Sequence, residues 1–327
     1  MSMKWYIGRR ILWAVFAVWV VLTVTFALMY IAPDANMAEF QFEQAMQGVD
    51  PDEAQEIYER QRGLDRPVFE QYRDYMLNFI TFNWGWSHGR SQTVMDVLAE
   101  AYPYSLMYGV PSVIISTILG LLIGLYSATH QYTRTDYAAT FFAFFGLSIP
   151  NFWFAIILIL VFAEFLGWLP GHFSSHRLSD GVISWQNFSQ LLLPIIVLTT
   201  ASIAGMMRYA RAEALEYVEA DFVKTAKAKG ASHRSILYKH IFRPAAVPLS
   251  TILVSDLLSV IFIASYLVEV VFAIPGLGYV SYLAILDRDT ALVLATVLIP
   301  AFIAIIGNLM QDIVYTILDP RIDYGDR

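Results

Sequence analysis

Along this chain, long runs of apolar residues alternate with shorter polar segments. Apolar residues dominate 11–31, 104–128, 137–166, 191–207, 247–270 and 290–318. A helix rises 1.5 Å per residue, so about 20 apolar residues cross roughly 30 Å of hydrocarbon. The pattern therefore predicts six transmembrane helices. The polar segments carry helical grammar of their own. In "DPDEAQEIYERQRG", Asp50 stands at the N-cap, Pro51 at N1, Glu53 at the capping-box position and Gly63 just past the end. In "RPVFEQYRDYMLNFITF", Phe69, Tyr72, Met76 and Phe79 recur at helical spacing. "SQTVMDVLAEA" puts Val94, Val97, Leu98 and Ala101 on one side, as a short interfacial helix does. A fourth polar segment reads as two helices: "ADFVKTAKAK", closed by Gly230, then "SHRSILYKHIF", opened by Ser232 and halted before Pro244. Pro111, Pro150 and Pro300 fall inside spans, where kinks are expected; Pro194 and Pro248 fall at span starts.

Composition sharpens this picture. Of the 327 residues, 57% are hydrophobic, which excludes an ordinary soluble domain. The first apolar run is too long for a signal-peptide core and "YIAPDANMAEF" has no small-residue cleavage site, so it reads as an anchor. Cysteine is absent, which removes disulfides and thiolate sites. Lys4, Arg9 and Arg10 place the N-terminus in the cytoplasm, and six spans return the C-terminus there. The loops 129–136 and 208–246 then face inward as well. Segment 34–100 lies outside with thirteen Asp or Glu against five Arg and no Lys, a net charge of −8. It reads as an acidic extracytoplasmic domain, a solvated cap or an adaptation to salt. The resulting division is 1–33 for the N-terminal end and first helix, 34–103 for the acidic domain, 104–320 for a five-helix core carrying the elbow 208–246, and 321–327 for a cytoplasmic tail.

Four of the five lysines (Lys224, Lys227, Lys229 and Lys239) lie in that elbow with Arg234 and Arg243. Each cation costs about 2.5–3.5 kcal/mol at mid-membrane, so the stretch stands in water. The lysines read either as topology markers, as a patch for anionic lipid head groups, or as part of a docking helix. Asp221 at the dipole-positive end and Lys227 and Lys229 in the last turn favour the first helix. Phe222, Val223 and Ala226 give it a small apolar face, slim enough for a partner's groove. Asp256 sits near mid-span, where an isolated carboxylate is expensive; it lines a pathway or makes a polar contact between helices. Glu164 and Glu269 fall at outer helix ends near water, and Asn308 and Asp312, at i and i+4, fit interhelical bonding. His172 and His176 sit in a loop without a third ligand, so no metal site is expected. Neither a phosphate-cradling G-x-x-x-x-G-K-[ST] nor a G-x-S-x-G elbow occurs, and basic residues hug the membrane margins. Nucleotide-hydrolysing, acyl-transfer and nucleic-acid-binding classes are excluded on those grounds.

The segment "DFVKTAKAKGASHRSILYKHIFRPAAVP" resembles the cytoplasmic signature of ABC-importer permeases of the dipeptide/oligopeptide family, of the first permease type. Other stretches are similar to the same family in the same order. They are "WGWSHGRSQTVMDVLAEAYPYSLMYGVPSV", "SIPNFWFAIILILVFAEFLGWLP", the fourth span with Arg208 and Arg211, "LVEVVFAIPGLG" and "NLMQDIVYTILDPRID". Lys227 departs from the usual Arg and Pro244 from a common Asn. The fifth span has serine and alanine where glycine is usual.

The resemblance implies an all-α membrane protein of six transmembrane helices with an extracytoplasmic insertion between the first two, the type I ABC importer permease fold. It implies a coupling segment comprising Asp221, Lys224, Thr225, Ala226, Lys227, Ala228, Lys229, Gly230 and His233. Candidates for the pathway or gate are Asp256, Glu269, Pro275, Gly276, Asn308 and Asp312. Implied partners are a second permease subunit, two ATP-binding subunits that hold the ATP and Mg, an extracytoplasmic substrate-binding protein and the bilayer. The implied function is passage of di- or oligopeptides by alternating access, with nickel chelates, glutathione or oligosaccharides as alternative cargo. A secondary carrier or channel is the rival class; it requires coupling charges and an internal repeat, and no repeat is visible.

Overall fold

The computed structural model describes the backbone of residues 3–31, 35–87, 89–174, 185–246, 249 and 265–318. In chain order the helices are α1 (Met3–Ile31), α2 (Ala35–Met46), α3 (Pro51–Arg62), α4 (Val68–Ile80), α5 (Val94–Thr129), α6 (Arg134–Ser148), α7 (Asn151–Leu158), α8 (Trp185–Val218), α9 (Asp221–Ala228), α10 (His233–Ser235), α11 (Tyr266–Phe272), α12 (Leu277–Leu286) and α13 (Thr290–Leu318). Two of these, α7 and α10, run on as π-helices over Ile159–Phe165 and Ile236–Phe242. A short antiparallel pair, β1 (Trp86–Ser87) with β2 (Gln92–Thr93), precedes α5.

Among the described residues, α1, α5, α8 and α13 are each long and apolar enough to cross a membrane. Two further pairs, α6 with α7 and α11 with α12, are bent by 102° and 82°, giving six spans if each pair is one broken crossing. The single helix expected over 137–166 is thus interrupted. Pro150 forces the residue before it out of the helical region, and Ile149 is extended at φ −86°, ψ 128°. Residues 247, 248 and 250–264 of the fifth predicted span, Asp256 among them, lie outside the described residues. The interfacial helix expected at 94–101 is instead the start of the 36-residue α5, which accommodates Pro103 and Pro111. Its Val94, Val97, Leu98 and Ala101 are buried, as their spacing predicts. Likewise Pro194 lies inside α8 rather than at its start.

The structure divides into two compact units, Met1–Glu100 with Val280–Arg327, and Ala101–Tyr279. In the first unit α1 packs along α13. Arg10 pairs with Asp312 at 3.0 Å near one end, and Leu22 meets Leu298 and Phe302 further along. Asp312 therefore makes the interhelical bond that its position predicted, while Asn308 is exposed. The cap signals of α3 work as read: Asp50 accepts from the Asp52 N–H at 3.0 Å, and Gly63 adopts φ +67°. Helix α4 lies against both long helices. The Tyr72 hydroxyl meets Thr23 at 2.8 Å, the Phe79 ring lies tilted against Phe302 with centroids 4.5 Å apart, and Tyr75 and Met76 join the same core. Thr23 is about 12 Å of helix below Ile31, so α4 sits within the depth of the spans.

In the second unit, glycines let α5 and α6 approach α8 at backbone distance. A Cβ on Gly124 would stand 2.5 Å from the Met207 carbonyl oxygen and 2.7 Å from the Ala210 Cβ. One on Gly120 would meet the Met206 Cβ at 2.7 Å, and one on Gly146 the Thr200 carbonyl at 2.6 Å. Small residues allow such contact where no aqueous hydrophobic effect drives helices together. Gly124→Val is expected to destabilise the protein by at least about 1–3 kcal/mol, because backbone rather than a flexible tip must yield. Gly205→Ala, with open space at its Cβ, is expected to be neutral or stabilising. Thermal unfolding in detergent reads both, and equal behaviour of the two variants contradicts this packing.

Candidate functional site

The elbow is assembled on a small core of its own. Val223 is fully buried against Leu125, Ala128, Ala214, Ile236 and Ile241, and Ala226 is nearly buried as well. Gly230 at φ +76° closes α9, its N–H bonding the Lys227 carbonyl at 3.0 Å. Ser232 then opens α10 by accepting the Ser235 N–H at 3.3 Å. This arrangement corrects part of one expectation: of the apolar face Phe222, Val223 and Ala226, the last two are turned inward against this chain and Phe222 alone faces outward. The outward face is Asp221, Phe222, Lys224, Thr225, Lys227, Ala228 and Lys229, with Phe222 48% exposed. Asp221 and Lys224 pair at 3.2 Å on that face. The His233 side chain lies outside the described residues.

The second elbow helix does not halt before Pro244 but continues through it to residue 246. Its i→i+5 winding supplies the reason. A proline in an α-helix clashes with the carbonyl four residues back, and a wider π turn relieves that crowding. The same winding brings Ile236 and Ile241 to one buried side.

Above the elbow, Arg211 on α8 reaches Asp136 at the start of α6. The guanidinium Nη2 donates to Oδ2 at 2.9 Å, and the Tyr132 N–H donates to the same oxygen at 2.9 Å. Asp136 is only 1% exposed. Arg211 was legible in the sequence as a helix-exit cation, whereas its partner 75 residues away was not.

A second cluster surrounds Glu269, which is fully buried rather than near water as its place at a helix end predicted. Its Oε1 accepts from the Ser105 hydroxyl at 2.7 Å and the Tyr108 hydroxyl at 2.6 Å, and its Oε2 accepts from the Tyr279 N–H at 3.0 Å. Each hydroxyl is itself held by a backbone donor: Ser105 accepts from the Leu277 N–H at 2.9 Å and Tyr108 from the Ser265 N–H at 3.1 Å. Both hydroxyl protons are thereby committed to the carboxylate. The chain folds this way because α11 ends at Ala273 in the left-handed region and α12 starts at Leu277, aiming its N-terminal N–H groups at the cluster. Gly276 and Gly278 are required there. A Cβ on Gly276 would stand 2.5 Å from the Ser105 Oγ and 2.6 Å from the Glu269 carboxyl, and one on Gly278 2.6 Å from the Tyr266 Cα. The sequence singled out Glu269, Pro275 and Gly276; Ser105 and Tyr108, more than 150 residues distant, gave no signal.

Among the described residues no three His, Asp or Glu side chains gather as metal ligands. His172 is exposed, and His176 lies outside the described residues.

Comparison with known proteins gives concordant matches along the chain. Residues 120–324 match the family described as binding-protein-dependent transport system inner membrane component, and residues 3–109 match the N-terminal region of such membrane components. The oligopeptide transport system permease protein AppB of Bacillus subtilis (strain 168) is 34% identical over 98% of this chain and 99% of its own length. The oligopeptide transport system permease protein OppB of Haemophilus influenzae is 33% identical over the same shares. A peptidoglycan transport system permease protein, YejB of Agrobacterium fabrum, is 31% identical over 86% of this chain and 79% of its own length.

Proposed function

Since the chain belongs to the binding-protein-dependent transport system inner membrane component family, it is a multi-pass permease subunit of an ABC importer, and we propose that its cargo is oligopeptides. Two relatives of nearly equal length bear that designation, and the chain itself offers no competing chemistry. In the proposed assembly it pairs with a second permease, two ATP-binding subunits engage the elbows from the cytoplasm, and one substrate-binding protein delivers cargo on the opposite side. Both termini lie in the cytoplasm, as Arg9, Arg10 and the elbow cations favour. ATP binding draws the ATPases together, the elbow moves with them, and the pathway opens toward the binding protein.

The observation that carries the coupling role is the division of α9 into a buried Val223 and Ala226 face and an outward Phe222, Lys224, Thr225, Lys227 and Ala228 face. A helix fixed to its own chain on one side and bare on the other transmits displacement. Phe222→Glu and Ala228→Trp change exposed positions only. They are expected to lower peptide uptake and binding-protein-stimulated ATP hydrolysis in proteoliposomes about tenfold, a loss of about 1.4 kcal/mol of coupling. Their unfolding temperature should stay at the wild-type value. Full uptake by both variants removes the coupling role from this face. Peptide-independent stimulation by a loaded binding protein of another cargo class replaces oligopeptide with that class.

A further inference from the structure

Within the first unit, a cavity of about 270 Å³ lies where α1, α4 and the loop after it meet the N-terminal part of α13. Its lining is mixed. Met29, Phe79, Leu294 and Leu298 are apolar, and Arg62, Asn78 and Asn83 bring polar groups to it. Tyr75 also lines it, and its hydroxyl is shielded from solvent with no hydrogen-bond partner among the described residues. An ordinary phenol is a neutral donor at physiological pH. Asn83 donates to Asn78 at 3.2 Å, and the Arg62 guanidinium lies 4.8 Å over the Tyr58 ring.

We propose that this cavity seats one acyl chain of a bilayer phospholipid, with an ester carbonyl accepting from the Tyr75 hydroxyl and the phosphate facing Arg62. Depth and continuity favour that occupant. The cavity is walled by two helices that cross the membrane, at a level where Leu28, Ile31 and Val297 on those helices and Leu77, Ile80 and Phe82 beside them are exposed and apolar. An acyl chain therefore reaches it from the surrounding lipid without leaving hydrocarbon. The volume takes a segment of that chain, since an engineered apolar cavity of about 150 Å³ holds the six carbons of benzene. An amphiphile matches the lining: methylenes lie against the leucines and a carbonyl meets the Tyr75 donor, with the phosphate beside Arg62. A peptide side chain answers only part of it.

The test uses the full chain with whatever subunits purify with it. The protein is placed in nanodiscs of phosphatidylcholine and phosphatidylglycerol containing a minor fraction of phosphatidylcholine with a diazirine on its acyl chain. After irradiation, adducts are mapped by mass spectrometry. The expected result is enrichment of adducts on 75–85 and 290–298 over the openly exposed Ile115, Ile118 and Leu122 of α5. Leu294→Trp, which fills the cavity, should cut that enrichment about tenfold, or about 1.4 kcal/mol of occupancy; Ala295→Leu serves the same purpose with less bulk. Tyr75→Phe should lower it with the fold unaltered. Uniform labelling of all exposed apolar positions, insensitive to these variants, overturns the proposal. Labelling that appears only after the substrate-binding protein is removed assigns the cavity to that protein instead. Because adducts are read on this chain alone, the outcome is independent of the cargo and coupling proposed above.

Discussion

Replacing Glu269 by alanine is expected to be among the most damaging single changes in the protein. The substitution strands the Ser105 and Tyr108 hydroxyls and the Tyr279 N–H in a fully buried place, at about 1–3 kcal/mol for each unsatisfied donor. It also leaves a cavity beside Val268 and Phe272, which are themselves buried. Glu269→Gln distinguishes hydrogen bonding from volume. Its carbonyl can still accept from both hydroxyls, but its amide then confronts the Tyr279 N–H, donor against donor. Stability should therefore fall in the order wild type, glutamine, alanine. Thermal unfolding of the purified protein in detergent measures it. A glutamine variant as stable as wild type contradicts the donor-only environment assigned to this carboxylate.

Arg211→Ala is expected to cost about 3–5 kcal/mol, because it leaves Asp136 ionised and buried with its principal counter-charge removed. Among the described residues its other carboxylate oxygen, Oδ1, has no partner that could absorb the loss. Replacing both partners with apolar side chains, Arg211→Met with Asp136→Leu, should recover a large part of the stability but not all of it, since the Tyr132 N–H loses its acceptor. A double variant as unstable as Arg211→Ala alone points to a role for the arginine other than neutralising Asp136.

Both clusters show where reading the sequence stops. The spans among the described residues, the caps of α3, the elbow and the glycine that closes α9 were legible because each rests on local signals: periodicity, capping residues, a positive-φ glycine. Glu269 was noticed for its charge, yet its burial depends on two hydroxyls 161 and 164 residues away, and no local pattern encodes such a meeting. The inward turn of the Val223 and Ala226 face was hidden for the same reason. A slim apolar face looks alike whether it meets its own chain or another. The passage of the second elbow helix through Pro244 escaped because helical periodicity presumes i→i+4 winding, and here the winding is i→i+5. The bend at Pro150 was expected as a kink and is larger, 102°, because the preceding residue leaves the helix altogether.

The tight seating of α8 has a mechanical consequence. Gly120 and Gly124 hold it against α5, Gly146 and the Arg211 bridge hold it against α6, and the elbow follows directly from its end. At the glycines backbone approaches backbone, and such contacts resist sliding and axial rotation. A helix of 34 residues, about 51 Å long, pinned along this part of its length acts as a lever whose fulcrum lies near the glycines. A push at its elbow end then arrives at the far end as a sideways swing in the opposite sense, without any need for the helix to bend.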